Sequence, residues 1–240
     1  MKSYPLKIFP SGYVFLDPSD DCRLVARVLE DISYPEEFCL ALDFDPVFIA
    51  RLMAAGFIVM SFLSSNPEEA NQDGQFILFP KHHLIRSCLF YPELHVKKSI
   101  KSRLPLYDLH FDSDFDLILD KCIESHGDDW LTPPLVAAIR KIRSTLGMPV
   151  RPVSFALYRD GKLKAGEFGI MAGRVYTSYS GYYKEGDAGT VQMILSARYL
   201  EKAGVDFWDL GMPLDYKLSL GAREISRGEF MERFERAISG

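Results

Sequence analysis

Cysteine and histidine are scarce in this chain, four and five among 240 residues. The four cysteines, Cys22, Cys39, Cys88 and Cys122, are widely scattered, with no C-x-x-C pair. That spacing argues against a disulfide framework or a zinc ribbon and for thiols buried in a core. His82-His83 is the one adjacent histidine pair, and no cysteine or carboxylate stands at ligand spacing beside it, so no metal is expected. Long apolar runs are also lacking. None reaches the roughly 18 residues of a membrane span, and Met1-Lys2-Ser3-Tyr4-Pro5 lacks the apolar stretch of a secretory signal. The expectation is a cytoplasmic protein with no membrane partner. Excess positive charge is missing too: the net charge of −5 argues against a protein that coats nucleic acid nonspecifically.

What is present is ordinary globular composition, 48% hydrophobic and 25% charged, enough for one large domain or two small ones. Positive charge concentrates locally, at His95, Lys97, Lys98, Lys101 and Arg103, and again at Arg140, Lys141 and Arg143 on a predicted helix. Either a solvated helix face or a nucleic-acid contact fits such clusters.

Residues 1 to about 90 read as short strands with one clear helix, opened by Asp45-Pro46, striped by Phe48, Ile49, Leu52 and Met53, and closed by Gly56. The polar segment from Ser64 to Gly74 reads as a loop. Ser113 is a candidate cap for a helix carrying Phe115, Ile118, Leu119, Cys122 and Ile123, stopped by Gly127. Thr132-Pro133 starts a second helix with Leu135, Ala138, Ile139, Ile142 and Leu146, closed by Gly147 and Pro149. Three strands follow: one alternating through Val153, Phe155 and Leu157, then Leu163 to Ile170, then Val175 to Ser180. Asp160-Gly161 and Gly173 mark their turns, because these residues tolerate positive φ. A helix with Val191, Ile194, Leu195 and Arg198 runs to Gly204, and Val205 to Leu210 is a buried strand that includes Asp209. This order predicts an α+β fold with a GNAT-like acyltransferase core: a mixed, mostly antiparallel sheet flanked by helices. A smaller N-terminal α/β domain is expected over 1–95, with the core over 96–240.

Five segments carry a resemblance. Leu94-His95-Val96-Lys97-Lys98-Ser99-Ile100-Lys101 looks like a segment L-H-I-x-R-S followed by Leu or Met and a basic residue. Arg86-Ser87-Cys88-Leu89 is similar to an R-x-V-L strand, and Trp130-Leu131-Thr132 to a T-W-I-T turn with Asp129 for the first Thr. Ala165-Gly166-Glu167-Phe168-Gly169-Ile170 looks like two glycines, Leu or Met, then Tyr-Gly and Val or Ile. Ser219-Leu220-Gly221-Ala222, with Glu224-Ile225 and Arg227, resembles S-L-G-A-x-x-I-P-R with Ser226 for the Pro. In register, these segments make the chain resemble the leucyl/phenylalanyl-tRNA–protein transferase family.

The resemblance implies transfer of a Leu- or Phe-type amino acid from aminoacyl-tRNA to the N-terminal amine of a protein beginning with a basic residue, which marks that protein for degradation. No cofactor is implied. An aminoacyl-tRNA is already an activated ester, so the enzyme seats its 3′ end and side chain and presents a deprotonated amine. By resemblance the family's D-x-Q aspartate falls on Asp209, with Gly211 at the Gln. The glutamate of its G-E-S segment falls on Tyr179 and a bulky pocket residue on Gly181. The W-W-x-P and F-P-W elements are replaced by Phe57-Ile58-Val59-Met60 and Phe76-Ile77-Leu78-Phe79. The implied site has Asp209 and Tyr179 at the chemistry, Ser180, Trp130, Phe155, Phe168 and Ser219 around the substrates, and Lys97, Lys98, Lys101 and Arg103 on the tRNA. These departures leave open a homologue that binds tRNA or peptide without turnover. An amide-forming acyltransferase with another donor is the third reading, although Glu185 and Asp187 beside Gly186 oppose the pyrophosphate of a CoA donor.

Overall fold

The structure is a computed structural model that describes residues 5–64, 76–184 and 186–239. Outside the described residues lie the extreme N-terminus, Glu185, and the loop expected at 64–74 apart from Ser64.

The first compact unit comprises residues 1–84, 127–151 and 227–232. It contains β1 (Lys7–Ile8), β2 (Val14–Leu16), α1 (Cys22–Asp31), β3 (Leu40–Ala41), α2 (Pro46–Ala54), β4 (Ile58–Leu63) and β5 (Phe76–Lys81). Its sheet runs β1-β2-β3-β5-β4. The helix expected at Asp45-Pro46 is α2: the Asp45 carboxylate accepts from the Phe48 N–H at 2.9 Å, and Gly56 follows with φ of 89°. The described residues up to 84 hold two helices, not one. The Asp21 side chain caps α1, which buries Cys22, Val25, Ala26 and Leu29 at helical spacing.

The second unit comprises 85–126, 152–226 and 233–240. The chain therefore passes between the units several times and does not divide once at 95/96. In chain order from residue 85, the remaining elements are β6 (Ile85–Leu89), α3 (Lys98–Lys101), β7 (Asp108–Phe111), α4 (Phe115–His126), α5 (Pro133–Ser144), β8 (Arg151–Arg159), β9 (Lys162–Ala172), β10 (Val175–Tyr183), α6 (Ala188–Lys202), β11 (Phe207–Asp209), α7 (Asp215–Ser219), β12 (Arg223–Ser226) and α8 (Arg227–Ile238). Of these, α5 packs on α2 and belongs to the first unit.

Helix α4 opens one residue later than the Ser113 cap predicts. Its first helical bond runs from the Ile118 N–H to the Asp114 carbonyl, while the Ser113 hydroxyl donates to the Asp114 carboxylate. Thr132 and Pro133 open α5 as expected, but the Thr132 hydroxyl lies 2.6 Å from that of Ser61 and does not cap. Helix α5 ends at Ser144, so Leu146 falls beyond the stripe and is fully exposed.

The seven-stranded sheet of the second unit runs β12-β6-β11-β10-β9-β8-β7. Only the β10/β11 pair is parallel among the registers that define it, which is the mixed, mostly antiparallel arrangement expected of a GNAT-like core. One face is covered by α6 through Val191, Ile194 and Leu200 against Phe155, Tyr176 and Trp208. Full burial of each such aliphatic side chain contributes about 1.5–3 kcal/mol.

Two glycines facing each other's strands have opposite tolerance. A Cβ on Gly169 would stand 2.3 Å from the Thr177 carbonyl oxygen and 2.7 Å from the Tyr176 ring, whereas one on Gly181 meets nothing closer than 3.4 Å. Gly169→Ala is expected to lower stability by about 2–3 kcal/mol, and Gly181→Ala by less than about 0.5 kcal/mol. Urea denaturation of the two variants checks this.

Candidate active site

Strands β10 and β11 run parallel for three pairs, Val175–Phe207, Tyr176–Trp208 and Thr177–Asp209. They then part, β11 stopping at Asp209 while β10 continues to Tyr183. Beyond the carboxyl ends of parallel strands lies the crevice where open sheets take ligands. At this point β10 is irregular: Ser178 pairs with Gly169 and Ser180 with Phe168, so Tyr179 is an extra residue. Such a bulge bends its strand and re-aims the side chain. Tyr179 is half-buried, its ring 5.9 Å from that of Phe168.

Strand alternation divides the polar residues between the two faces of the sheet. Asp209, Thr177 and Arg86 share one face; Trp208, Tyr176, Ser178 and Glu167 share the other. On the first face Asp209 is 0% exposed and Arg86 1%. The Arg86 guanidinium donates to Asp209 Oδ2 at 2.5 Å, the Thr177 hydroxyl donates to the same oxygen at 3.1 Å, and the Gly211 N–H donates to Oδ1 at 2.9 Å. A buried carboxylate survives on such terms: an opposite charge in contact and further donors for its other lone pairs. Lys217 is buried nearby on α7, donating to the carbonyls of Leu210 and Met212. Its burial pulls the ammonium below the usual lysine range, while Asp209 and Glu167 oppose that shift.

On the other face the buried Glu167 carboxyl accepts at Oε1 from the Tyr176 hydroxyl at 2.8 Å and the Ser178 hydroxyl at 3.1 Å. Ser178 Oγ in turn accepts from Trp208 Nε1 at 2.7 Å. An indole N–H only donates, so the proton order along this chain is fixed. Gln192 on α6 also reaches the carboxyl and donates onward to the Ser196 hydroxyl at 2.9 Å. Burial pushes Glu167 up to about 7, against the lowering effect of these donors.

The residues expected at the site are thus dispersed. Asp209 pairs with Thr177, and Tyr179 and Ser180 follow further along β10, with the Ser180 carbonyl accepting from the Cys122 thiol. Phe155 and Phe168 are both 0% exposed. Phe155 is ringed by Phe111, Tyr176 and Tyr199, and Phe168 stands edge-on to Phe115, so both are core residues in this structure. Trp130 is half-buried in the first unit, its carbonyl accepting from the Ser61 N–H. Ser219 is exposed at the end of α7. Lys97, Lys98 and Lys101 are exposed on and before α3, whereas Arg103 is engaged by Asp187 at the start of α6. Sequence reasoning missed Arg86 and Glu167. The available signal was the same for both, a charged residue inside an otherwise apolar strand.

A mixed sheet with an opened parallel pair beside a bulged strand is the arrangement expected of an acyltransferase core. The leucyl/phenylalanyl-tRNA protein transferase family profile matches residues 88–235. The leucyl/phenylalanyl-tRNA–protein transferase of Pseudomonas entomophila is 32% identical over 172 residues, covering 70% of this chain and 74% of that protein. The one from Chromobacterium violaceum is 32% identical over 151 residues, 61% of this chain and 63% of its own. Among solved structures, FemX is similar with a TM-score of 0.46 and 11% identity over 92% of this chain and 81% of that one. A tandem GNAT protein from clavulanic acid biosynthesis gives a TM-score of 0.38 and 11% identity over 90% and 74%. This chain belongs to the leucyl/phenylalanyl-tRNA–protein transferase family, a family of aminoacyltransferases.

Removing one member of the buried pair strands the other. Arg86→Met is expected to cost about 3–5 kcal/mol, with part of the loss recovered by adding Asp209→Leu; urea denaturation of the single and double variants measures both. For Glu167 the sign runs the other way from an ordinary salt-bridged acid. The folded state holds its proton up to about pH 7, the unfolded chain only to about 4.5, so stability falls as pH rises through that window. The fall is roughly 3 kcal/mol. Glu167→Gln, which keeps an acceptor for Tyr176 and Ser178, is expected to flatten that part of the stability–pH curve.

Proposed function

We propose that this chain transfers an amino acid of the Leu or Phe type from aminoacyl-tRNA to the N-terminal amine of a protein whose first residue is basic, marking that protein for degradation. The observation that carries this reading is the site where β10 and β11 part beside the bulge at Tyr179, in a chain of this family. Within it, the donor ester and the acceptor amine would be held side by side, and positioning supplies much of the rate because the ester is already activated. Donors aimed at the tetrahedral oxygen add to it.

The exposed Lys97, Lys98 and Lys101 suit the tRNA phosphates. Arg103 is paired with Asp187 and has less to offer a phosphate. That same Asp187 sets negative charge at the N-terminus of α6, where the pyrophosphate of a CoA donor would otherwise be favoured. This supports aminoacyl-tRNA over CoA.

One observation favours the alternative of a binder without turnover: the oxygens of Asp209 are already committed to Arg86, Thr177 and Gly211. Incubation with charged Leu-tRNA or Phe-tRNA and a peptide beginning with Lys separates the readings. Multiple turnovers to the aminoacylated peptide are expected, and binding of tRNA with no transfer would overturn the enzymatic reading. Replacing Lys97, Lys98 and Lys101 together by Ala is expected to raise KM for the tRNA. It should also flatten the log–log salt dependence of binding by about one per lysine, with kcat little changed.

A further inference from the structure

The geometry points to Glu167 as the group that takes the proton from the acceptor amine. This inference rests on the transfer reaction proposed above.

Both acids are buried, but Asp209 is the one bound to a cation: its two oxygens receive the Arg86, Thr177 and Gly211 donors. Glu167 has no contacting cation among its described hydrogen bonds. Its donors are the neutral groups Tyr176, Ser178 and Gln192, which orient the carboxyl and leave its charge free to change.

Access comes from the strand opposite. Gly181 on β10 pairs directly with Glu167 on β9, so the two positions share a face. Gly181 is exposed and has no side chain, and an atom at the vacant Cβ position stands 3.4 Å from Glu167 Cβ. Glu167 is thus the side chain nearest to that vacant position. Three residues earlier Ser178, which donates to Glu167, adjoins the bulged Tyr179. The acid is thus wired to the strand segment that borders the crevice.

The titratable groups facing Glu167 from neighbouring elements are Tyr176 on β10, Cys122 on α4, and Tyr216 and Lys217 on α7. Burial pushes the two tyrosines and the thiol upward, which keeps them neutral in the working range, and Lys217 is held by two carbonyls. Glu167, pushed up to about 7, is the carboxyl matched to an α-ammonium near pKa 8.

The step balances as follows. An N–H proton of the α-ammonium passes to the Glu167 carboxylate, and the freed lone pair forms the C–N bond to the ester carbonyl carbon. The bond from that carbon to the ribose oxygen breaks, and this oxygen leaves as a hydroxyl with the second nitrogen proton. The proton on Glu167 is then released to solvent.

The test uses the full chain, charged Leu-tRNA or Phe-tRNA, and peptides beginning with Lys. In the wild type the acid limb of kcat is expected near pH 7. In Glu167→Gln, kcat is expected to fall by about 10²–10⁴, the limb near 7 to disappear, and KM for tRNA to stay within about threefold. Circular dichroism and a urea midpoint establish that the variant is folded. Gly181→Leu, at an exposed position with room for a Cβ, provides the second arm: KM for the peptide rises at least about tenfold while KM for tRNA holds. Glu167→Gln with wild-type kcat and an unchanged limb would overturn the inference alone, as would Gly181→Leu with unchanged peptide KM. Absence of transfer by the wild type would overturn the proposed reaction and this step with it.

Discussion

The buried pair between Arg86 and Asp209 is the constraint around which the second unit is arranged. Arg86 lies on β6 and Asp209 ends β11, while Thr177 brings β10 to the same carboxylate. Three neighbouring strands therefore converge on one charge pair with no access to water. Desolvating two ions is costly, and the arrangement holds only because further donors complete the carboxylate's coordination. Its effect is geometric: β10 and β11 are held in register up to Thr177 and Asp209, the last residues before they separate.

With that pair in place, the sheet presents different chemistry on its two faces. One side carries a locked, permanently paired acid. The other carries an acid surrounded by neutral donors, paired across the strands with Gly181 and linked through Ser178 to the indole of Trp208. On that second face burial pushes the Glu167 carboxyl up to about 7, against the lowering effect of its donors.

Much of the fold was legible in the sequence because its punctuation was local. Asp45-Pro46, Thr132-Pro133, Asp160-Gly161, Gly173 and Gly204 all stand at element boundaries, and the turn glycines have positive φ. The α1 helix escaped notice although Asp21 and the spacing of Val25, Ala26 and Leu29 announced it, because its stripe is short and flanked by charged residues. Asp209 at the end of a buried strand was legible as well. Its partner was not: Arg86 is 123 residues away, and no local pattern encodes that contact. Phe155 and Phe168 looked like pocket residues for a related reason, since strand alternation shows that a side chain faces inward but not whether it meets substrate or another ring.

The Arg227 guanidinium caps the carbonyls of Tyr34, Glu36 and His82 in the first unit. Those oxygens belong to residues 34, 36 and 82, yet their donor is synthesised near the end of the polypeptide. Until residue 227 is made, the three carbonyls must find water or other donors. A chain stalled before that point lacks the guanidinium that ties these segments together.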